Sequence, residues 1–564
     1  MSKKYLIIGG SAAGPKVASK IRRLDQEADI TIIQKGKYLS MASCGYPYFV
    51  GGVFDNPNQL IATPTGVPRD PNFFAKVKNI KALIQTEALS IDRENKTVLI
   101  KDLPSGKETS LSYDKLVLST GATPVKPPIE GIDLENIDTL QSMEDAMALK
   151  DVAKEKKIKK AVVVGGGLIG IETCEAFQLA GIEVTVVEMQ DQILPFLDWE
   201  MAKLVQNHMT AKGVKVITGK GVTKFLGDGG KVTGVEITGG EVIPCEHAVF
   251  SIGVRPNIKL AQDAGLEIGN VKGISVNRFM QTSDENIYAA GDCVEVTNLI
   301  THNKQHWPMG DAANLQGRVV AQNAVLGNSE EYEGIVGTGI CKVFEYTAGS
   351  TGLSEKMARR EGYENIVTAI HAAPDKPGFM GAAPVIIKTV ADKTTGKFLG
   401  MQSVGSGDVS KRVAMSAMAL HGQMSVFDMV NLDLPYAPPF SPAIDNLITA
   451  IHVMENKLRG YMVGISAVEL KEALDSGAKP FILDVRGPDE YEAMRLGIGE
   501  TLIPLGALRS KADQLPPNES KEIITYCKIS LRGYEAARIL EGMGYTNVKV
   551  LEGGVVSWPF PREK

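Results

Sequence analysis

Two cysteines of this sequence lie in surroundings that suit thiol chemistry. Cys527 follows the apolar run I-I-T-Y, and the loop C-K-I-S-L-R leads from it into a predicted helix at Tyr534–Met543. Successive N–H groups of such a loop, together with a helix N-terminus, stabilise a thiolate or a terminal persulfide anion. Arg532 closes the loop. The pattern therefore predicts that Cys527 carries sulfur.

The second candidate is Cys44, which lies in S-M-A-S-C-G-Y-P-Y-F, ten residues after a predicted strand at Ile30–Gln34. The position five residues further on is Phe49, where a thiol pair would need its second cysteine. A lone thiol is reducible only as a mixed disulfide, a persulfide or a sulfenic acid. We interpret Cys44 as a redox thiol, and the alternative is an inert buried cysteine.

Two glycine-rich segments predict the elements that position these thiols. The segment G-G-G-L-I-G at 165–170 lies between an apolar strand and a helix, and Glu188 ends the next strand. This arrangement binds a dinucleotide pyrophosphate at the helix N-terminus, and the acid favours NADH over NADPH. The segment G-G-S-A-A-G at 9–14 has the same setting, but Ser11 replaces the middle glycine and Gln34 replaces the acid. Two nucleotide-binding domains of similar build are therefore expected.

Size and composition limit the class of protein. A chain of 564 residues exceeds the roughly 250–300 residues that one core supports. Hydrophobic content of 44% and charged content of 23% are typical of globular proteins. The net charge of −5 and the absence of an apolar run of about 18 residues argue against nucleic acid or a membrane as partner. The scattered cysteines and the lack of a signal-peptide pattern lead us to expect a cytoplasmic protein.

Three segments together with Cys44 carry a resemblance over residues 1–455. The segments G-G-S-A-A-G, S-T-G-A-T-P at 119–124 and T-S-D-E-N-I-Y-A-A-G-D-C at 282–293 resemble the FAD-binding segments of two-dinucleotide flavoprotein reductases. With the lone cysteine and L-D-L-P-Y-A-P-P-F at 432–440, the chain is similar to coenzyme A-disulfide reductases and NADH-dependent persulfide reductases. The resemblance implies a homodimer in which Tyr436 reaches the partner's reactive sulfur. It also places Arg22, Arg23 and Ser40 near a coenzyme A moiety.

A second resemblance covers the C-terminal part. The segments F-I-L-D-V-R at 481–486, I-I-T-Y-C-K-I-S-L-R-G at 523–533 and V-L-E-G-G-V-V-S-W at 550–558 resemble a single rhodanese domain. The resemblance implies that Cys527 holds a persulfide. His302 and His306 have i, i+4 spacing, but no third ligand follows, so we expect no metal.

The predicted cofactors are FAD and NADH, with NADPH as the alternative. Expected NADH contacts are Gly165, Gly167, Ile169, Gly170, Glu188 and Gly253. Expected FAD contacts are Gly9, Gly10, Ser11, Ala12, Ala13, Gly14, Gln34, Lys35, Ser43, Thr120, Gly121, Gly291, Asp292, Pro308 and Ala312.

The predicted fold class is α/β, with four domains. Residues 1–119 and 256–328 form a Rossmann-like FAD domain, 120–255 a Rossmann-like NAD(P)H domain, 329–455 an α+β dimerisation domain and 463–564 a rhodanese-like α/β domain. We expect an FAD-dependent NADH:persulfide, polysulfide or disulfide reductase whose catalytic residues are Cys44, Cys527, Tyr436 and Arg532. Alternatives are a coenzyme A-disulfide reductase with an independent sulfurtransferase domain, an NADH oxidase or peroxidase, and a non-enzymatic redox-sensing protein that delivers sulfur.

Overall fold

The computed structural model describes residues 2–155, 158–518 and 521–563. The chain forms two compact units, one made of residues 1–189 and 217–335 and the other of residues 190–216 and 336–564. Each unit contains two of the folds that the sequence predicts. Because the first unit holds both glycine-rich turns, it is the one that positions the dinucleotide chemistry.

The first unit opens with a five-stranded parallel sheet. Apolar residues fill its strands, as expected where helices or loops cover both faces. Helices Ala13–Leu24 and Gly310–Leu326 pack against each other beside this sheet. In spatial order the strands are Ile287–Ala289, Lys115–Leu118, Lys4–Ile8, Asp29–Ile33 and Lys81–Leu83.

A second parallel sheet in the same unit repeats this plan. Its helix Leu168–Leu179 follows the central strand, as Ala13–Leu24 does in the first sheet. Four of its strands, in spatial order, are Glu183–Val187, Lys160–Val164, His247–Phe250 and Ile137–Asp138. The unit also contains two antiparallel sheets, formed by Thr86–Asp92, Thr97–Asp102 and Glu108–Ser112, and by Val222–Asp228, Lys231–Ile237 and Val242–Pro244.

Short elements complete the first unit. Two-stranded ladders join Ala122–Pro124 to Val254–Pro256 and Glu295–Thr297 to Lys304–His306. The remaining helices are Tyr46–Val50, Pro71–Lys78, Met143–Glu155 and Lys259–Asp263, and 3₁₀ turns span Ser43–Gly45 and Pro57–Ile61.

The second unit contains a five-stranded antiparallel sheet covered by helices. The strands, in spatial order, are Gly339–Val343, Tyr346–Gly352, Phe398–Gly405, Pro384–Asp392 and Ile366–Pro374. The helices of this part are Trp199–Ala211, Glu355–Arg360, Val409–His421, Val426–Met429 and Asn446–Leu458. The short strand Lys215–Ile217 follows the first of them in the chain.

The last fold of the second unit is a five-stranded parallel sheet. Its strands are Gly464–Ile465, Val548–Leu551, Ile523–Tyr526, Phe481–Asp484 and Thr501–Leu502, with helices Ala467–Asp475, Pro488–Ala493 and Leu531–Gly542 around them. The predicted fold class, α/β with two dinucleotide folds, an antiparallel α+β part and a C-terminal α/β part, is confirmed.

A buried carboxylate joins this last fold to the antiparallel sheet. Glu552 directly follows strand Val548–Leu551, and its side chain is 3% exposed. It accepts a hydrogen bond from the Ile370 N–H at 2.8 Å and forms an ion pair with Lys457. Buried charges are retained when they are paired and hydrogen-bonded. Glu552 therefore fixes the two parts of the second unit against each other.

A second buried ion pair holds the helices of the antiparallel part. Arg412 is fully buried and donates hydrogen bonds to Asp445 at 2.7 and 3.1 Å. It also donates to the carbonyl oxygens of Asp408 and Asp375. Asp445 in turn caps the helix Asn446–Leu458 through the Leu447 N–H. One guanidinium thus joins three segments of chain.

Arg412→Met should lower the free energy of unfolding by about 3–5 kcal/mol, because it leaves the Asp445 carboxylate buried without its main partner. Chemical denaturation of the full chain measures this change. Arg459→Met is the matched control, since Arg459 forms an exposed pair with Glu455 and its loss should cost about 1 kcal/mol or less. Equal losses in both variants would contradict the structural role of Arg412.

Candidate functional site

The first glycine-rich turn brings a helix directly onto the end of a strand. A Cβ at Gly14 would lie 1.9 Å from the Gly9 carbonyl oxygen, so only glycine permits this approach. The Ser119 hydroxyl fixes the strand end, donating to the Ile8 carbonyl at 2.9 Å. The N-terminus of Ala13–Leu24 is therefore open to an anionic ligand such as a pyrophosphate.

The second turn has the same kind of glycine and serine contacts as the first. A Cβ at Gly170 would lie 2.0 Å from the Gly165 carbonyl oxygen, and Ser251 donates to the Val164 carbonyl at 3.0 Å. Sequence reasoning did not identify Ser251 as the counterpart of Ser119. The signal was the repetition of L-S-T-G at 118–121 as F-S-I-G at 250–253, at the end of a strand that pairs with the central strand of each sheet.

The residues at the end of the second strand also match between the two folds. The Gln34 side-chain oxygen accepts a hydrogen bond from the Gly10 N–H at 2.9 Å. The Glu188 carboxylate accepts one from the Gly166 N–H at 2.6 Å. Both side chains thus reach the glycine turn, where a dinucleotide ribose lies next to the pyrophosphate. Gln34 occupies the position of the acid without its charge.

The backbone leaves room for a ligand beside both glycine turns. A Cβ at Gly167, Gly121 or Gly253 would meet nothing within 4 Å, so these backbone segments border empty volume. Ile169, in the first turn of Leu168–Leu179, keeps 43% of its surface exposed despite being apolar. The residues present therefore fit two dinucleotides, one at each glycine turn.

Other predicted FAD residues lie around the first turn. Ser11 and Ala12 form the bend before helix Ala13–Leu24, and Ala312 is buried in the first turn of Gly310–Leu326, with Pro308 just before that helix. The Gly291 N–H donates to Gln316, and the Thr120 hydroxyl to the Asn257 carbonyl. Lys35 instead pairs with Glu87 at 2.8 Å on the surface.

Cys44 is exposed, whereas the other five cysteines are buried. It lies in the 3₁₀ turn Ser43–Gly45, which leads into helix Tyr46–Val50. An ideal Cβ on Gly310 would lie 3.9 Å from the Cys44 Sγ, so the thiol faces the start of Gly310–Leu326. The first unit therefore brings Cys44 next to the loop that contains Pro308. The alternative of an inert buried cysteine is wrong for its position.

Carboxylates surround the Cys44 thiol. Desolvation by neighbouring atoms raises the pKa of this thiol above its usual range, and the charges of Glu172 and Asp292 raise it further. Both effects disfavour the thiolate. Asp292 has a raised pKa itself because it is buried, and its carbonyl oxygen bonds to His306 at 2.8 Å. A cation or an electron-poor ring beside the thiol would be needed to stabilise its charge.

Glu172 is a site residue that sequence reasoning missed. It lies on helix Leu168–Leu179, which packs against Tyr46–Val50, and accepts a hydrogen bond from the Tyr48 hydroxyl at 3.1 Å. Burial raises the pKa of Glu172 to about 7. No local motif marks it, because its nearness to Cys44 arises from packing between two segments more than 120 residues apart.

The three predicted substrate residues have different positions. Arg22 is buried and its guanidinium donates to carbonyl oxygens of Ala28, Lys78, Asn79 and neighbouring residues, so it is a structural arginine. Arg23 is exposed on the same helix. Ser40 has a left-handed backbone (φ 53°), and its N–H donates to the Gly10 carbonyl at 2.7 Å.

In the second unit, Tyr436 lies on an apolar surface. Its side chain is 54% exposed, and it lines a cavity with Lys411, Pro435 and Phe440. Phe440 is 69% exposed. Large exposed apolar side chains in one patch are typical of an interaction surface. Tyr436 is thus available to a partner molecule.

Cys527 directly follows strand Ile523–Tyr526 and is buried. Main-chain bonds hold its loop, since the Val555 N–H donates to the Cys527 carbonyl at 3.1 Å. The helix predicted to begin at Tyr534 begins at Leu531, because Ser530 has a left-handed backbone and its carbonyl accepts the Tyr534 N–H. The predicted helix start is therefore wrong by three residues, and Arg532 lies in the first helical turn, at the end of the Cys527 loop.

Family comparison agrees with this geometry. Residues 3–317 match the model described as "Pyridine nucleotide-disulphide oxidoreductase", 338–448 match the dimerisation domain of the same family, and 466–559 match "Rhodanese-like domain". The chain belongs to the pyridine nucleotide-disulphide oxidoreductase family.

Several members of this family resemble the chain over most of its length. The solved "NAD-Dependent Persulfide Reductase from A. fulgidus" is 43% identical, covers 98% of this chain and all of its own, and superposes with a TM-score of 0.93. A "NADH oxidase" of Methanocaldococcus jannaschii is 34% identical over 81% of this chain and 99% of its own. The "NAD(P)H coenzyme A polysulfide/persulfide reductase" of Pyrococcus horikoshii is likewise 34% identical, over 81% and 99%.

The described residues offer neither a membrane-spanning helix nor a cluster of metal ligands. Among residues 2–155, 158–518 and 521–563, no helix combines the length and hydrophobicity that spanning a bilayer requires. The described His, Cys, Asp and Glu side chains form no group of three or more that suits a metal ion, and His306 bonds to a carbonyl instead.

Glu172→Gln should lower the pKa of Cys44, because it removes a carboxylate charge that disfavours the thiolate. Glu172 ionises near pH 7, so the effect should appear above that pH. In protein freed of flavin, alkylation of Cys44 by iodoacetamide at pH 8 should be about 3-fold faster than in the wild type. Glu267→Gln, which changes an exposed carboxylate of the same unit, should leave the rate unchanged. A slower reaction in Glu172→Gln would refute the assignment.

Proposed function

We propose that this chain is an FAD-dependent NADH:persulfide or polysulfide reductase in which Cys44 receives sulfur and Cys527 carries it. The observation that carries the proposal is the contrast between the two thiols. Cys44 is exposed in the unit that holds both dinucleotide turns, and Cys527 is buried between strand Ile523–Tyr526 and helix Leu531–Gly542 in a rhodanese-like domain. The full-length similarity to a solved persulfide reductase supports the same conclusion.

The chemistry at Cys44 follows from a lone thiol. Its thiolate attacks the outer sulfur of a persulfide, the S–S bond of the substrate breaks, and a thiolate leaves. Two-electron reduction of the Cys44 persulfide then returns the thiolate and releases hydrosulfide. FAD and NADH, when bound, supply those two electrons by hydride transfer. Glu172, with its pKa of about 7, is placed to hold a proton near this sulfur.

We also propose an oligomeric state, a compartment and a class of substrate for this reaction. The exposed Tyr436 and Phe440, within a region that matches a dimerisation domain, support a homodimer with Tyr436 near the partner's site. The six cysteines are scattered through the sequence without paired spacing, which supports a reducing compartment, so we propose a cytoplasmic location. The substrates we propose are small-molecule persulfides, polysulfides or coenzyme A disulfide.

Cys44→Ser should abolish NADH oxidation with cysteine persulfide or polysulfide as acceptor, because the substrate sulfur loses its attachment point. The same variant should lack the charge-transfer absorbance that a thiolate gives beside oxidised flavin. Cys341→Ala, which changes a buried thiol in the second unit, should retain both. Stopped-flow absorbance measures both signals. Full persulfide turnover in Cys44→Ser would refute the proposal, and rapid oxygen consumption by the wild type without a sulfur acceptor would support an NADH oxidase instead.

Glu188→Ala should weaken the preference for NADH. Its carboxylate lies at the second glycine turn, where it repels a 2′-phosphate. The ratio of kcat/KM for NADPH to that for NADH should rise about 10-fold. The loss of one charge repulsion is about 1.4 kcal/mol, which corresponds to that factor. Glu183→Gln, at the exposed start of the same strand, is the control and should not change the ratio. An unchanged ratio in Glu188→Ala would exclude the assigned role.

A further inference from the structure

The helix that follows the Cys527 loop contributes an arginine that is already bound to a carboxylate. Arg532 donates two parallel hydrogen bonds to Glu490, at 2.7 and 2.8 Å. Such bidentate pairs are among the strongest side-chain contacts and fix the guanidinium plane. The two side chains are 36% and 30% exposed, so a ligand entering from solvent meets the pair.

The same guanidinium lies in the first turn of the helix that follows the Cys527 loop. Glu490 and Cys527 both raise the pKa of Arg532. The pKa of Glu490 is lowered to about 2 by its bond to Arg532, so this carboxylate is ionised at every physiological pH. The pair therefore carries no net charge beside Cys527.

A second bond fixes the carboxylate itself. Glu490 lies at the third position of helix Pro488–Ala493 and accepts a hydrogen bond from the Gly487 N–H at 3.2 Å. The Cys527 loop is equally fixed, because Ser530 donates to the Leu551 carbonyl at 2.7 Å and the Val556 N–H donates to the Lys528 carbonyl at 3.0 Å. The negative charge thus keeps a constant place relative to the loop.

The charge of the sulfur donor determines how strongly the Glu490 carboxylate repels it. A dianionic donor such as thiosulfate would gain most from a free arginine and is repelled most by the carboxylate. A persulfide with a single negative charge is less affected by both, since Coulomb energy scales with the charge of the ligand. Lys528, exposed on the loop, attracts either donor.

We propose that Glu490 determines the donor specificity of the rhodanese-like domain by selecting singly charged persulfides over dianionic thiosulfate. The proposal rests on the proposed role of Cys527 as sulfur carrier. In the transfer, the Cys527 thiolate attacks the outer sulfur of the donor, and the donor's S–S bond breaks. A thiolate leaves from a persulfide, or sulfite leaves from thiosulfate, and one negative charge remains on the Cys527 persulfide. No external oxidant or reductant is needed.

Glu490→Gln tests the proposal in the full-length, FAD-loaded protein. The amide retains an acceptor for Arg532 and Gly487 but removes the charge. The rate constant for sulfur uptake by Cys527 is measured by mass spectrometry with cysteine persulfide and with thiosulfate. The thiosulfate rate should rise about 5-fold and the persulfide rate less than about 2-fold. Equal changes with both donors would mean a purely structural role and would overturn the proposal.

Two further variants separate charge from geometry. Glu469→Gln changes the corresponding helix-capping carboxylate of Ala467–Asp475, which bonds to Ser466, and should leave the ratio of the two rates unchanged. Glu490→Asp keeps the charge but shortens the side chain, so its ratio should stay within about 2-fold of the wild type. A shift as large as that in Glu490→Gln would overturn the proposal. If wild-type Cys527 takes up sulfur from neither donor, the carrier role itself fails.

Discussion

The contact between helices Tyr46–Val50 and Leu168–Leu179 determines where Cys44 lies. Tyr46–Val50 belongs to the first dinucleotide fold and packs against Leu168–Leu179 of the second, with a hydrogen bond from Tyr48 to Glu172. Cys44 precedes the first of these helices by two residues and cannot move without it. In the proposed reaction, Cys44 meets a cofactor from one fold and electrons from the other, and this junction fixes its position.

The two thiols of the proposed reaction differ in the way that their roles require. Cys44 is exposed and lies near carboxylates, so as a free thiol it stays protonated until another group stabilises its charge. Cys527 is buried between a strand and the N-terminus of helix Leu531–Gly542, a setting that would stabilise the proposed persulfide anion. Cys44 is suited to hold sulfur briefly during turnover, and Cys527 is suited to store it.

Sequence reasoning succeeded where chemistry is encoded locally. The turns at 9–14 and 165–170 and the loop after Cys527 were identified because strand, glycines and helix follow one another within about thirty residues. Glu172 and Glu490 were missed because their partners, Tyr48 and Arg532, are remote in the sequence. Arg22 was expected near a coenzyme A moiety, but its guanidinium is bound by carbonyl oxygens of neighbouring segments. Nothing in the local sequence marks those carbonyls as its partners.

The buried Glu552 has a practical consequence for anyone who isolates the C-terminal module. Its lysine partner lies on helix Asn446–Leu458 and its amide partner on strand Ile366–Pro374, both outside the segment that resembles rhodanese. A fragment cut at residue 463 would leave this carboxylate uncovered two residues from the glycine that supports the Cys527 loop. A C-terminal module that is moved to another protein should therefore include helix Asn446–Leu458, which supplies the lysine partner of Glu552.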